Sequence, residues 1–168
     1  MAKGIFPVEK LAAIQTPFYY YDTELLRQTL RTINDEASKH EGFVVHYAVK
    51  ANANPRILRI IREAGLGADC VSGGEIEASI KAGFPCSKIV YAGVGKSDWE
   101  INLGLDQDIF CFNVESIPEL KVIEAVTVVK PVVHKQVFSL DIRGHIVIRR
   151  IHDTYHESEK KPEYGNYN

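Results

Sequence analysis

Short apolar runs alternate with amphipathic stretches along most of this chain. Residues 43–49 (FVVHYAV) are apolar nearly throughout and predict a buried strand. Beyond them Ile57, Ile60, Ile61 and Ala64 recur at helical spacing. Asn54 is placed to cap that helix and Pro55 to open it, with Gly65 and Gly67 at its end. The pattern then repeats. GADCVS (67–72) predicts a short strand, and residues 73–83 a helix with Ile76 and Ile80 one turn apart and Gly83 as its stop. KIVYAG (88–93) predicts a third strand. Ser97 and Glu100 form a capping box, in which each side chain satisfies the other residue's free backbone donor. DIFCFNV (108–114) predicts a fourth strand, and a second box, Ser116 with Glu119, opens a helix to about Ala125.

The predicted strand ends fall near Lys50, Asp69 to Ser72, Gly93 and Asn113, spaced as a strand, a helix and two tight loops require. Strands alternating with helices predict parallel pairing and right-handed crossovers. Residues 41–126 therefore read as four consecutive βα units of an α/β protein. Four units fit half of a (β/α)8 barrel or the first part of an open doubly wound sheet. Upstream, residues 1–40 predict one strand over 17–22 (PFYYYD) and one helix ending near His40, with Leu26, Leu30, Ile33 and Ala37 along one stripe. Asp22 or Thr23 can cap that helix. Downstream, residues 127–168 differ: a stretch rich in β-formers, interrupted by Pro131, leads to a polar, turn-rich end that predicts a weakly held or disordered tail.

Composition narrows the function classes. The 168 residues are 45% hydrophobic and 25% charged with a net charge of −2, so no basic excess points to nucleic acid or a membrane surface. No apolar run is long enough to span a bilayer, and the first residues carry no signal-peptide core. Cys70, Cys86 and Cys111 are widely spaced without a Cys-x-x-Cys pair, which favours three small apolar side chains in a reducing cytoplasm over a zinc site or disulfides.

Candidate chemistry sits where an α/β fold collects it, at the C-terminal ends of the strands. Lys50 ends the first strand. Entering from a buried strand, its amine is either partly desolvated, which favours the neutral form that Schiff-base chemistry uses, or, on position alone, a strand-end lysine that simply reaches solvent. Asp69 ends the second strand, Glu75 starts the next helix, and Asn113 and Glu115 mark the fourth strand end. Gly93-Val-Gly-Lys-Ser97 is not a phosphate-binding P-loop, because position 90, where that loop needs glycine, is valine. It predicts a loop with close backbone approach instead. His152 and His156 stand four apart, with His145 upstream, but no carboxylate-rich helix frames them and no metal site is expected.

Four stretches carry a resemblance: Tyr47-Ala-Val-Lys50-Ala-Asn-Ala-Asn-Pro55, Gly67-Ala-Asp-Cys-Val-Ser-Gly-Gly-Glu-Ile76, KIVYAGVGKSDWEI (88–101) and FNVESIPEL (112–120). Together, over about residues 5–125, the chain resembles the pyridoxal-phosphate-dependent decarboxylases of basic amino acids, and among them those acting on diaminopimelate. The resemblance implies an alanine-racemase-like barrel joined to a β domain. It implies pyridoxal 5'-phosphate held by Lys50 as a Schiff base, with Asp69 beside it. The implied reaction converts meso-2,6-diaminopimelate to L-lysine and carbon dioxide, within a cytoplasmic homodimer that shares its active sites. Relatives acting on ornithine, arginine or carboxynorspermidine, a non-catalytic or regulatory cofactor-binding chain, and a compact cofactor carrier are the other readings. The family's ring-stacking histidine, glycine-rich phosphate loop, substrate arginines and β-domain motifs find no match in this sequence. The expectation is an N-terminal portion of such an enzyme, with residues 127–168 divergent.

Overall fold

The computed structural model describes residues 6–129, 135–140 and 146–151. A one-turn helix α1 (Val8–Leu11) precedes α2 (Thr23–Ala37), whose start is fixed by Asp22: its carboxylate accepts the Leu25 N–H at 2.9 Å. Strand β1 (His46–Ala48) leads through one 3-10 turn (Val49–Ala51) into α3 (Pro55–Glu63). Then follow β2 (Gly67–Cys70), α4 (Gly73–Lys81), β3 (Ile89–Tyr91), α5 (Asp98–Asp106), β4 (Cys111–Val114) and α6 (Ile117–Val129). Two further strands, β5 (Lys135–Leu140) and β6 (Ile146–Ile151), complete the order.

The six strands form one sheet in the order β1-β2-β3-β4-β6-β5. The first three pairings are parallel and share one offset: His46 lies opposite Gly67, Ala68 opposite Ile89 and Val90 opposite Cys111, 21 residues apart each time. The four predicted βα units are therefore present and in order. Sequential strand order with right-handed crossovers puts every helix on the same face of the sheet. In keeping with that, α2 packs on α3, α3 on α4, α4 on α5 and α5 on α6. A doubly wound sheet would reverse direction and place helices on both faces, so the arrangement is that of a barrel wall.

The core lies between this helix layer and the sheet. Leu58, Ile61, Ile76, Ile101 and Ile123 from the helices are fully buried against Val49, Ala68, Cys70, Ile89, Tyr91 and Val114. Left-handed glycines stop α3 and α4, Gly65 with φ 89° and Gly83 with φ 90°, a conformation other residues adopt at a cost. On the opposite face, Ala48, Asp69, Val90 and Cys111 stand in one cross-strand row. Val90 and Cys111 form a small second cluster there with Phe110.

Three sequence expectations need correction. Residues 17–22 form no strand, and Tyr19 is 90% exposed. β propensity alone does not make a ladder, and among the described residues no strand lies beside this segment to complete one. β1 is three residues long rather than seven and only half-buried; it lies at the sheet edge, and Phe43 and Val44 ahead of it are exposed. Helix α6 runs to Val129, past the predicted end near Ala125. Beyond it, β6 pairs antiparallel with β4 and β5 with β6, so the hairpin occupies the edge that a fifth parallel strand would need. Residues 152–168, including His152 and His156, and His145 as well, lie outside the described residues.

Candidate active site

The end of β1 is built by local hydrogen bonds. Asn52 N–H donates to the Val49 carbonyl at 3.1 Å and closes the 3-10 turn that holds Lys50. The Asn52 side chain accepts the Asn54 N–H at 2.9 Å, and Asn54 in turn accepts the Arg56 N–H at 2.9 Å as the cap of α3. Tyr47 hydroxyl reaches the Asn52 carbonyl at 3.3 Å. The run Ala-Asn-Ala-Asn-Pro is thus a turn that starts a helix at once and leaves the lysine at the strand end, as its sequence predicts.

Lys50 is exposed. The expected desolvation is not supplied by the described residues, because β1 is an edge strand with no neighbour on its outer side. Asp69 is the deeper group. It pairs in register with Ala48, two residues before Lys50, on the face away from the helices. Its Oδ1 is buried without a hydrogen-bond partner among the described residues. Burial raises its pKa; the Lys50 charge pulls it down, and Glu75 adds a smaller push upward. The structure therefore brings the two sequence-predicted site residues, Lys50 and Asp69, within electrostatic reach of each other.

Glu75, read from sequence as a site candidate or a solvated first-turn acid, is half-buried and lies close enough to act on Asp69. Its Oε2 accepts the Val71 N–H at 2.8 Å and ties the start of α4 to the end of β2. Ser72 caps the same helix by accepting the Glu75 N–H at 3.3 Å. Glu100 completes its capping box, accepting from Ser97 N–H at 3.0 Å and Ser97 hydroxyl at 2.6 Å. Its other oxygen crosses to α4 and accepts the Gly73 N–H at 2.8 Å. Desolvation opposes ionisation of Glu100, yet the bonds from Ser97, Gly73 and Tyr91 together hold its pKa down at about 2. Glu100 thus meets the Gly73 N–H at the start of α4 and the Ser97 N–H ahead of α5.

The Gly93–Ser97 loop is, as expected, a close backbone approach: a Cβ on Gly93 would overlap the Val71 carbonyl oxygen. Within this loop Lys96 is buried, a group that the local sequence pattern did not single out. Its ammonium donates to the carbonyls of Gly93 at 2.5 Å and Asn113 at 2.8 Å and pairs with the Glu119 carboxylate. Asn113 enters through that carbonyl, and Glu115 through its N–H, which donates to Glu119 at 2.9 Å. The three cysteines are free thiols; Cys70, in the core beside Ser79, has its pKa pushed up by burial to about 12. Among the described residues no helix is long and apolar enough to cross a membrane, and no group of three or more His, Cys, Asp or Glu could hold a metal ion.

A family model for the pyridoxal-binding domain of pyridoxal-dependent decarboxylases matches residues 25–157. The chain belongs to this decarboxylase family. The match passes residue 126, where the sequence reading sets the likeness to end. Over 121 residues the chain is 70% identical to a diaminopimelate decarboxylase of Bacteroides thetaiotaomicron, covering 72% of this chain and 31% of that protein. It is 42% identical over 141 residues to a diaminopimelate decarboxylase of Helicobacter pylori, covering 84% and 32%. The solved structure of a Helicobacter pylori diaminopimelate decarboxylase complexed with L-lysine superposes with a TM-score of 0.65 at 41% identity, over 72% of this chain and 30% of that one. A lysine/ornithine decarboxylase from Vibrio vulnificus at 23% identity and a TM-score of 0.62 shares the decarboxylase fold. The chain spans about a third of the length of the curated relatives it matches.

The residues present fit one end of pyridoxal phosphate. Lys50 offers an accessible primary amine, small Ala48 and Ala51 flank it, and Asp69 presents a buried oxygen with no partner among the described residues.

Proposed function

We propose that this chain forms the cofactor-attaching portion of a diaminopimelate decarboxylase, acting on meso-2,6-diaminopimelate to give L-lysine and carbon dioxide. The observation that carries the reading is the placing of Lys50, at the end of β1, within electrostatic reach of Asp69 at the end of β2, whose buried oxygen has no partner among the described residues. The 70% identity to the Bacteroides protein supports the substrate choice over ornithine or arginine. When bound, pyridoxal phosphate supplies an electron sink for the electrons left by the departing carboxylate. Lys50 is the group that attaches it, and its amine is also placed to hold or return a proton. Asp69 faces that amine, whose charge pulls the Asp69 pKa down against the effect of burial. A homodimer in a cytoplasmic setting follows from the family resemblance, and sedimentation of the purified protein checks the first of these.

The exposure of Lys50 at the sheet edge favours a second reading. On it, the chain captures the cofactor through Lys50 without turning over substrate. Incubation with pyridoxal phosphate, borohydride reduction and peptide mapping test the common part of both readings. A reduced adduct on Lys50, absent from Lys50→Ala, is the expected result; a folded protein with no adduct at that position overturns both. Release of L-lysine from diaminopimelate then separates the enzyme from the capturing chain.

A further inference from the structure

Lys96 is the one buried charged residue among the described side chains, and its side chain has no solvent exposure. Burying an ammonium is costly unless its partners repay the lost hydration. A methionine of similar length would occupy the same space without that cost. What lysine adds is three donors, and all three are used: on the carbonyl at the end of β3 (Gly93), on the carbonyl near the end of β4 (Asn113), and on Glu119 of α6. The ammonium also lies 5.1 Å from the centre of the Tyr91 ring.

From Lys96 the contacts run directly to the candidate site. Gly93 rests on the Val71 carbonyl so closely that no side chain fits between them. Its neighbour Ala92 donates its N–H to the Cys70 carbonyl at 2.8 Å. Cys70 and Val71 are the two residues that follow Asp69. On the other side Tyr91, under the ammonium, bonds to Glu100, which holds Gly73 at the start of α4. The lysine thus pins the β3 end, and the β3 end braces the segment that carries Asp69.

We propose that Lys96 is a positioning residue for the Lys50–Asp69 site: its bonds to the Gly93 and Asn113 carbonyls hold the ends of β3 and β4 and, through the Gly93–Val71 contact, set the end of β2. It touches neither cofactor nor substrate. The proposal rests on the cofactor reading only for its consequence at Lys50; the bracing of β2 stands apart from it.

Two variants separate positioning from general stability. Lys96→Met removes the donors and leaves Glu119 without its cation. Lys96→Met/Glu119→Gln removes that stranded charge as well, recovering stability, but leaves both carbonyls without a donor. Amide exchange is measured by mass spectrometry on the purified full chain, with the borohydride adduct on Lys50 scored in parallel. In both variants the peptides over 70–76 and 90–97 are expected to exchange about ten-fold faster while α3 keeps its protection. The yield of Lys50 adduct at limiting pyridoxal phosphate falls with them. If the double variant regains the parent's melting temperature and also its protection at 70–76, Lys96 contributes stability alone and the proposal is overturned. Unchanged exchange in both variants overturns it too. Should the single variant fail to fold, the double variant carries the comparison. A parent protein that forms no Lys50 adduct sinks the cofactor reading, and the exchange result still decides this one.

Discussion

Replacing Glu100 by glutamine keeps the side chain's shape and removes its charge. The carboxylate accepts from Gly73 N–H, Ser97 N–H and Ser97 hydroxyl at 2.8, 3.0 and 2.6 Å, and from Tyr91 as well. A glutamine can serve one side of this array, but its NH2 group then faces donors rather than accepting from them. The pKa of Glu100 falls from 4.5 to about 2 on folding, which at about 1.4 kcal/mol per pH unit bounds the stabilisation near ~3 kcal/mol. The carboxylate is part exposed, and solvent screening reduces this to about 1–2 kcal/mol. The folded value lies below the unfolded one, so the contribution is full above about pH 4.5 and is lost as pH falls through about 2. Urea unfolding from pH 7 to pH 2 is the assay. Glu100→Gln should be about 1–2 kcal/mol less stable at pH 7, and the two curves should converge towards pH 2. A constant gap across that range would show that the loss is steric rather than electrostatic and would refute the reasoning. No gap at pH 7 would show that the link between α4 and α5 carries no net energy.

Asp69 carries the opposite sign. Its pKa is raised in the folded state, so it lowers stability as pH climbs above 3.8, and Asp69→Asn should be more stable than the parent at pH 7 with the gain vanishing in acid, read from the same urea series. The same variant should form less Lys50 adduct, and equal adduct yield would remove Asp69 from the site. Lys50→Ala, at an exposed position, should change stability by less than about 0.5 kcal/mol while abolishing the adduct. Ile61→Ala, at a fully buried position between α3 and the sheet, should cost about 2–5 kcal/mol by thermal or urea unfolding; a loss below that range would mean the helix layer is not packed as described.

The elements that the sequence made legible are those specified within a few residues. The caps at Asp22, Asn54 and Ser97 and the stripes of α3 and α4 depend on neighbours two to four positions away, and the structure has them. Lys50 and Asp69 were also readable, because strand ends follow from the repeat. The rest depends on partners far along the chain. Glu100 was legible as a cap for Ser97, but its bond to Gly73 spans 27 residues. Glu119 was legible as a box partner for Ser116, and its N–H does donate to the Ser116 hydroxyl at 3.2 Å; its carboxylate goes instead to the Glu115 N–H and to Lys96, 23 residues back. The aromatic run over 17–22 failed for a related reason, since strand-like side chains specify a strand only where another strand lies beside them. Lys50 was expected to be desolvated because its strand was expected to be interior, and an edge position reverses that.

The constant 21-residue offset between β1, β2, β3 and β4 bears on how the chain folds. Each strand finds its partner in the unit just completed, so each pairing closes a loop of the same modest length and meets the same entropy cost. Parallel sheets are slow to form when their strands must be gathered from distant parts of a chain. Here the sheet can grow by one hairpin-sized crossover at a time, in the order in which a ribosome releases it. The β4 edge then waits for whichever strand comes next, and in this chain the β5–β6 hairpin is the nearest segment able to take it.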